Sequence, residues 1–514
     1  MENIHGMFID PTIRQFVWEE RGLTEFPISS RNGHVIEDIR IPVHITTAVN
    51  AILKNQSPKN ITQPKISSTA WHPRVLMLSL LGETSQSTTL GRGGFGCVSK
   101  VCLTGLVPDE LELDKLCVKC TEAVESDLWH KILDQQCLSV NNLCNIMDPV
   151  TNSAISESII LQIASLCWHT GFVPKLIATW CEDPQYILHC CSDINSKALS
   201  TSNSTTTTPP ISKTRIQSTD TITSYTTRTP PRLYMWTSCF DDEINANWRE
   251  DSSLPLYNYI MKLESIVAQA AVGTVALSDI GITHNDLHVG NLMYTYTLEF
   301  NPMQVKIPCG DGSQNSDTIL EIPVYDGKKV HVIDFGLSSI HLKHMDITIG
   351  GTYAQECGLS PCRGLDIDLR TLALDLLVTS RKVIHQLFMN KLPPIGLIET
   401  CTYENEKQQL IRGWRFLHAF LNMTLSIGED RNILQVFKNN KTLRKLASSV
   451  SITVRFKDLK TLRAKYHIVR NILFCKNADC LNIPRLTRDT IITLLSTYYS
   501  EANNTSDVAT SHEN

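Results

Sequence analysis

The stretch GITHNDLHVGNLMY, residues 281–294, decides how this chain is read. It sets His284-Asn285-Asp286 ahead of Leu287, and Asn291 follows Asp286 by five residues. A carboxylate can orient or accept a hydroxyl proton, and an amide oxygen can hold a divalent cation. Taken alone, an Asp and an Asn after a helix could equally be turn caps. The stretch also carries Asn285 and His288 where an arginine and a lysine are looked for. Its flanks have to decide.

Downstream, VIDFGLS (332–338) supplies Asp334-Phe335-Gly336, and Ala354-Gln355-Glu356 closes the following segment. Asp368 comes twelve residues after Glu356 and opens an apolar helical pattern, DIDLRTLALDLLV. Upstream, Tyr257 to about Ser278 reads as one long apolar helix that delivers the chain into the loop. LGRGGFGCV (90–98) places Gly91, Gly93, Gly96 and Val98 as G-x-G-x-x-G-x-V. Glycines there let backbone N–H groups approach phosphate oxygens. A dinucleotide fold needs a helix to start inside such a motif. Here another strand-like segment follows, which argues against it.

That segment contains LCVK (116–119), so Lys119 is the candidate for the nucleotide's α- and β-phosphates. Cys117, two residues before it on the same strand face, is expected to join Val98 against the adenine ring. Glu157 is the candidate carboxylate to hold Lys119, with Ile160, Leu161 and Ala164 at helical spacing behind it; Glu122 and Glu125 compete. In LYMWTSCF (233–240), Thr237 stands as gatekeeper and Ser238–Phe240 as hinge. Each signal loses to a bland reading on its own. In this order along the chain, each on the element it needs, they predict an α+β, two-lobed protein-kinase-like fold with a β-rich N-lobe and a helical C-lobe.

The bulk properties agree with a globular enzyme. The chain has 514 residues, 42% hydrophobic and 19% charged, with a net charge of −5. That charge gives no reason to expect direct nucleic-acid binding or a membrane partner. The cluster Lys438, Lys441, Arg444 and Lys445 reads as a solvated helix face. Seventeen cysteines, an odd number, suit a reduced intracellular chain, and the lone Cys117-x-x-Cys120 lacks a second pair for zinc. MENIHGMFID has no basic region followed by an apolar run, and SHEN is no prenylation box. Ile266–Leu277 is too short to span a bilayer and contains Gln269.

Residues 1–80 read as a low-order extension, 81–240 as the N-lobe and 241–500 as the C-lobe. A Ser/Thr-rich stretch at 195–231 and a polar, Gly-containing stretch at 302–328 read as inserts, the first disordered like the tail 501–514. QQLIRGWRFLHAFLNM and RDTIITLLSTYY continue the helical pattern towards the end.

GRGGFGCV, the arginine-free HNDLHVGN, DFGLSS and DIDLRTLALDLL resemble the conserved herpesvirus protein kinases. Within them the look is of the betaherpesvirus branch, relatives of the cytomegalovirus ganciclovir kinase, of roseolovirus type. The resemblance spans roughly residues 86–500. It implies a serine/threonine protein kinase that uses ATP and Mg²⁺, autophosphorylates, acts on viral and host proteins and can phosphorylate nucleoside analogues such as ganciclovir. It also implies residence in the host cell nucleus and the virion tegument. The nucleotide contacts it implies are Leu90, Gly91, Arg92, Gly93, Gly94, Phe95, Gly96, Cys97, Val98, Cys117, Lys119 and Met293. Asn291 and Asp334 are the implied Mg²⁺ ligands, and Asp286, with Lys119 and Glu157, the catalytic set.

Two departures carry expectations. Without the loop arginine, activity should not wait on an activating phosphate. His288 for lysine gives less electrostatic stabilisation of the transferring phosphoryl group. The loop is also similar to the H-G-D-L-H-P-G-N loop of small-molecule kinases, so a small-molecule or nucleoside kinase is the first alternative. A non-catalytic kinase-fold scaffold is the second, disfavoured by retention of Lys119, Asp286, Asn291 and Asp334.

Overall fold

The computed structural model describes residues 7–9, 87–93, 96–102, 115–122, 153–165, 171–181, 232–240, 242–243, 255–297, 302–307, 318–342, 347–351, 364–379, 381–426, 433–475 and 483–500. Gly94, Phe95, Glu125, Ala354-Gln355-Glu356, the stretch 195–231 and the tail 501–514 lie outside them. So do residues 1–80 apart from the short strand at 7–9. The chain divides into two compact units, residues 1–155 with 177–237, and residues 156–176 with 238–514. The boundaries fall at Ile155–Ser156, Leu176–Ile177 and Thr237–Ser238.

The first unit is built on one six-stranded sheet. Its strands are β1 (Met7–Ile9), β2 (Ser87–Gly93), β3 (Gly96–Cys102), β4 (Lys115–Glu122), β5 (Leu176–Cys181) and β6 (Arg232–Ser238), in the order β1-β5-β6-β4-β3-β2. β2 and β3 are the two arms of a glycine hairpin, closed by Gly93 opposite Gly96. The register slips between Thr89 and Gly91, leaving Leu90 unpaired in a bulge. β3 and β4 pair antiparallel with Val98 opposite Lys119 and Lys100 opposite Cys117. Opposed residues share a sheet face, as do residues two apart, so Val98, Cys117 and Lys119 lie on one face. Cys120, three residues from Cys117, lies on the other, so this C-x-x-C cannot converge on one ion.

The second unit is helical with small sheets. After α1 (Ser153–Ala164), most of which belongs to it, come β7 (Asp242–Glu243), α2 (Leu256–Asp279), β8 (Ile282–Thr283) and β9 (Leu292–Tyr296). β10 (Met303–Ile307), β11 (Thr318–Ile322), β12 (Lys328–Val332), β13 (Ser339–Leu342) and β14 (Ile347–Gly350) follow. Helices α3 (Leu365–Thr379), α4 (Arg381–Met389), α5 (Ile395–Ile398), α6 (Glu404–Leu425), α7 (Ile433–Lys438), α8 (Asn440–Ser449), α9 (Leu462–Phe474) and α10 (Arg488–Tyr499) complete it. α2 runs through the core, with Ile260, Leu263, Val267 and Ala271 fully enclosed against α6, whose Trp414, Phe416, Leu417 and Phe420 are also fully buried. By length and composition α2 could cross a membrane, yet 83% of its apolar window is buried inside the protein. Gln269, in the middle of α2, is fully buried and satisfied. Its amide donates to the carbonyls of Pro323 and Lys328 and accepts from Val330 N–H at 2.8 Å. It ties the helix to β12, the strand that leads into Asp334.

Two parts of the stretch 302–328, residues 302–307 and 318–328, are described, and they carry regular strands. MQVKI and TILEI pair as the hairpin β10–β11, and Val305, Ile307, Leu320 and Ile322 are buried. MQVKI alternates apolar and polar with period two, the strand signal, whereas TILEI breaks the alternation at Ile319, which is exposed. The basic residues Lys438, Lys441, Arg444 and Lys445 are all exposed on α7 and α8, as a solvated helix face requires. The chain is α+β, and its element order is kinase-like: glycine hairpin, lysine strand, glutamate helix, long helix, the loop 281–291, D-F-G turn and helices.

Candidate active site

The loop 281–291 is held from below by α3. Asp368 accepts from two successive backbone N–H groups, His284 at 2.9 Å and Asn285 at 2.7 Å, one on each carboxylate oxygen. Asp375, two helical turns on and on the same face, accepts from Val289 N–H at 3.1 Å. Sequence reading singled out Asp368 but passed over Asp375. Burial pushes Asp368 up to about 7, while the two N–H bonds and the nearby Arg470 charge pull against it.

Asn285 answers a conformational demand. Its φ is +63°, in the left-handed region that Asn tolerates better than most side chains. Its buried amide donates to Leu337 O at 3.1 Å and Ser339 Oγ at 3.0 Å, just beyond D-F-G. Neutral hydrogen bonds therefore join this loop to the segment after D-F-G, at the residue where a loop arginine would stand.

His284 makes the second link. It is fully buried, packs against Phe335 with ring centroids 5.3 Å apart, and donates Nε2–H to Ile333 O at 2.8 Å. Burial holds it neutral by pushing its pKa down, against the opposing pull of Ile333 O, Asp286 and Asp334. The charges of both Asp286 and Asp334 thus act on one imidazole.

Asp286 itself keeps a side-chain exposure of 22%. Arg470 Nη1 of α9 lies 3.2 Å from its Oδ1, and His288 Nε2 lies 3.6 Å from its Oδ2. Burial raises its pKa, but nearby His288 and the Arg470 charge outweigh burial, and the carboxyl ends below its usual range. It is a carboxylate at neutral pH. His288 N-caps the short turn Val289–Asn291 by accepting Gly290 N–H on Nδ1 at 3.0 Å, so it presents Nε2–H to Asp286. A Cβ on Gly290 would meet the His288 ring at 2.8 Å, so a glycine is needed for this cap.

Asn291 is buried and donates Nδ2 to Asp286 O at 2.9 Å. That fixes the amide and leaves Oδ1 as its acceptor end. Asp334 is exposed and left-handed, φ +63°. Gly336 sits between two acids: a Cβ there would lie 3.4 Å from Asp334 Oδ1 and 3.5 Å from Glu157 Oε2. Glu157, buried on α1, thus stands by the D-F-G turn; Glu122 ends β4 and is exposed. Among the described residues no cluster of three or more His, Cys, Asp or Glu could hold a metal by itself. Magnesium needs no such cage, because one or two protein oxygens suffice when phosphates and water supply the rest. Asn291 and Asp334 fit that demand.

Of the nucleotide residues expected, Cys97 and Val98 are half-buried on β3, Cys117 is buried and Lys119 half-buried on β4. Met293 is half-buried on β9, paired with His331 of β12 and Glu243 of β7. Leu90, Gly91, Arg92, Gly93 and Gly96 lie on the hairpin strands. Phe240, in the expected hinge, packs on His331 with centroids 4.8 Å apart. Arg470 was not anticipated at all.

No protein-family model and no curated protein matches the chain. Solved structures do. The chain is similar to one described as WaaP in complex with acyl carrier protein, 10% identical, covering 73% of this chain and 90% of that one, TM-score 0.25. It is also similar to the autoinhibited serine kinase domain of the giant muscle protein titin, 12% identical, covering 79% and 82%, TM-score 0.29.

Proposed function

We propose that the chain is an ATP- and Mg²⁺-dependent phosphotransferase of the protein kinase type, directed to serine and threonine hydroxyls. One observation carries the reading. Asp286 is an ionised, part-exposed carboxylate on a loop whose backbone is fixed at His284, Asn285 and Val289 by two aspartates of α3. A base for hydroxyl activation needs an open carboxylate on an immobile support.

In this reading Asp286 orients the acceptor hydroxyl for in-line attack on the γ-phosphoryl group. Asn291 and Asp334 are the residues that would hold magnesium, which would supply charge neutralisation at the phosphates. The Gly91–Val98 hairpin and Lys119 bind the nucleotide's phosphates through backbone N–H groups and a fixed cation, and Glu157 is the carboxylate assigned to Lys119. The Asn285 bonds to Leu337 O and Ser339 Oγ support activity that needs no activating phosphate. The motif resemblance supports the finer form: an autophosphorylating herpesvirus-type enzyme of the host nucleus and virion tegument that acts on viral and host proteins and accepts ganciclovir.

The small-molecule alternative keeps one observation in its favour, the His288 cap, which follows the similarity of HNDLHVGN to small-molecule kinase loops. A kinase assay with labelled ATP on a protein lysate with ganciclovir added separates the readings. Wild type should label proteins and Asp286→Ala should not. Label on the nucleoside alone favours the alternative, and near-normal turnover by Asp286→Ala overturns the assignment.

A further inference from the structure

We infer that Arg470, on α9 and 185 residues downstream of Asn285, is the positioning residue of the catalytic carboxylate, supplying from a distant helix the guanidinium the loop lacks. The inference rests on the phosphotransfer reading above and concerns the same site.

The geometry is two-pronged. Nη1 of Arg470 pairs with Asp286 Oδ1 at 3.2 Å, and Nη2 donates to the carbonyl of Asn285, one residue before. One planar group thus grips both the side chain of Asp286 and the backbone that carries it. A guanidinium suits this because its donors are fixed in one fork, whereas a lysine ammonium can only approach as a point charge. The grip takes Oδ1 and leaves Oδ2 on the side facing His288 Nε2, 3.6 Å away. Oδ2 is then the oxygen that meets the acceptor hydroxyl.

Among the described residues Arg470 is the one permanent cation within ion-pair distance of Asp286. It is 12% exposed, so solvent screens the pair little. α9 is itself anchored beside the loop. Arg463, two turns earlier on the same face, reaches Asp375 Oδ1 at 3.2 Å, while Asp375 Oδ2 holds Val289 N–H. Arg463 is 54% exposed, so its pair is worth little by itself. Arg470 acts on the carboxylate that does the chemistry, and Arg463 only on its support. Because the Arg470 charge is already engaged with Asp286, it is not held in reserve for a phosphate added to the activation segment. The device is permanent, not switched.

The test uses the full chain with Arg470→Met, Arg470→Lys and, as reference, Asp286→Asn. Turnover is measured per nucleotide site, with sites counted by titrating a fluorescent Mg-ATP analogue, and KM for ATP is measured alongside. Arg470→Met should cut kcat about 10- to 100-fold with site count and KM for ATP unchanged, the effect of a displaced reacting group. Arg470→Lys should fall between that variant and wild type. A structural role alone would lower the site count and leave kcat per site intact, and that result overturns the inference. If Arg470→Met does not fold, Arg470→Lys decides: wild-type kcat per site overturns the two-pronged grip. Full activity in Asp286→Asn overturns the phosphotransfer reading instead. An inactive Asp286→Asn beside a fully active Arg470→Met overturns this inference alone.

Discussion

Two regions of the helical unit use the same parts, a carboxylate, an arginine and a tyrosine, to opposite ends. On α2, Glu264 is 1% exposed, accepts Tyr499 O–H at 3.0 Å and pairs with Arg412 at 3.3 Å. In the loop, Asp286 is 22% exposed and pairs with Arg470 at 3.2 Å, and its charge helps to raise the pKa of buried Tyr466, after burial itself. Burial dominates at Glu264 and lifts its pKa despite Arg412 and the tyrosine bond. At Asp286 the neighbouring His288 and the Arg470 charge win. The difference is exposure at the carboxylate together with placement of the cation. Arg412 is the more exposed partner of a sealed acid, whereas Arg470 is the more buried partner of an open one. The first arrangement joins α2, α6 and α10, and the second keeps a charged group available to a ligand.

The sharpest way to break this comparison is to neutralise both acids. Asp286→Asn should lose at least about a thousandfold in kcat, more than the usual contribution of a general base because proton handling and acceptor alignment go together. Glu264→Gln should keep wild-type kcat. Comparable losses in the two variants would show that the loop carboxylate has no special role.

The support beneath Asp286 gives the next effect. Asp368 lies at about 7, raised from 3.8 by burial. Below 7 it takes a proton, its hold on His284 and Asn285 N–H weakens, and turnover should fall by up to about tenfold between pH 8 and pH 6. Stability should run the other way. A group raised in the folded state contributes stability that is full below its unfolded pKa and lost as pH rises through the folded one. Tm should therefore decline from this group as pH climbs towards 7 while activity rises. In Asp368→Asn the amide turns donors towards a backbone N–H, so activity should be low throughout and the pH limb absent. An unchanged limb in that variant would assign it elsewhere.

Gly290 gives a smaller effect. A methyl there displaces the His288 ring from its cap and from Asp286 Oδ2. Arg470 still holds Oδ1, so kcat should fall only about three- to tenfold in Gly290→Ala, with Tm nearly unchanged. A loss as large as that in Asp286→Asn would make His288, not Asp286, the centre of the site.

What the sequence discloses and what it hides divides along range. His-x-Asp, its Asn, D-F-G and the glycine hairpin are local signals, because each needs a particular turn or strand end that a few neighbouring residues dictate. RDTIITLLSTYY coincides with α10 because its apolar spacing and the Thr487 cap are both local. Arg470 is illegible for the opposite reason. In LRAKYHIVRNILF it is one more cation on an amphipathic helix, and only tertiary packing carries it to Asn285 and Asp286. Asp375 hides likewise inside an apolar run. The β10–β11 hairpin is only half legible: MQVKI alternates, but Ile319 breaks the alternation in TILEI, and polar residues separate the two segments in the sequence.

The smallest expected effect tests whether Glu264 is only a joint. Its pKa is raised from 4.5 by burial, so folding stabilises the protonated form relative to the unfolded chain. That contribution is full below 4.5 and is lost as pH rises through the folded value. Glutamine fixes the neutral form, keeps an oxygen for Tyr499 O–H, and frees Arg412, which at 35% exposure can turn to water. Glu264→Gln should therefore change unfolding free energy by no more than about 1 kcal/mol at neutral pH. Its Tm relative to wild type should improve as pH rises above 4.5 and level off once the folded carboxyl has ionised. A variant that instead falls behind wild type as pH rises would mean that the ion pair with Arg412, not burial, governs this acid, and the contrast with Asp286 would then lose its physical basis.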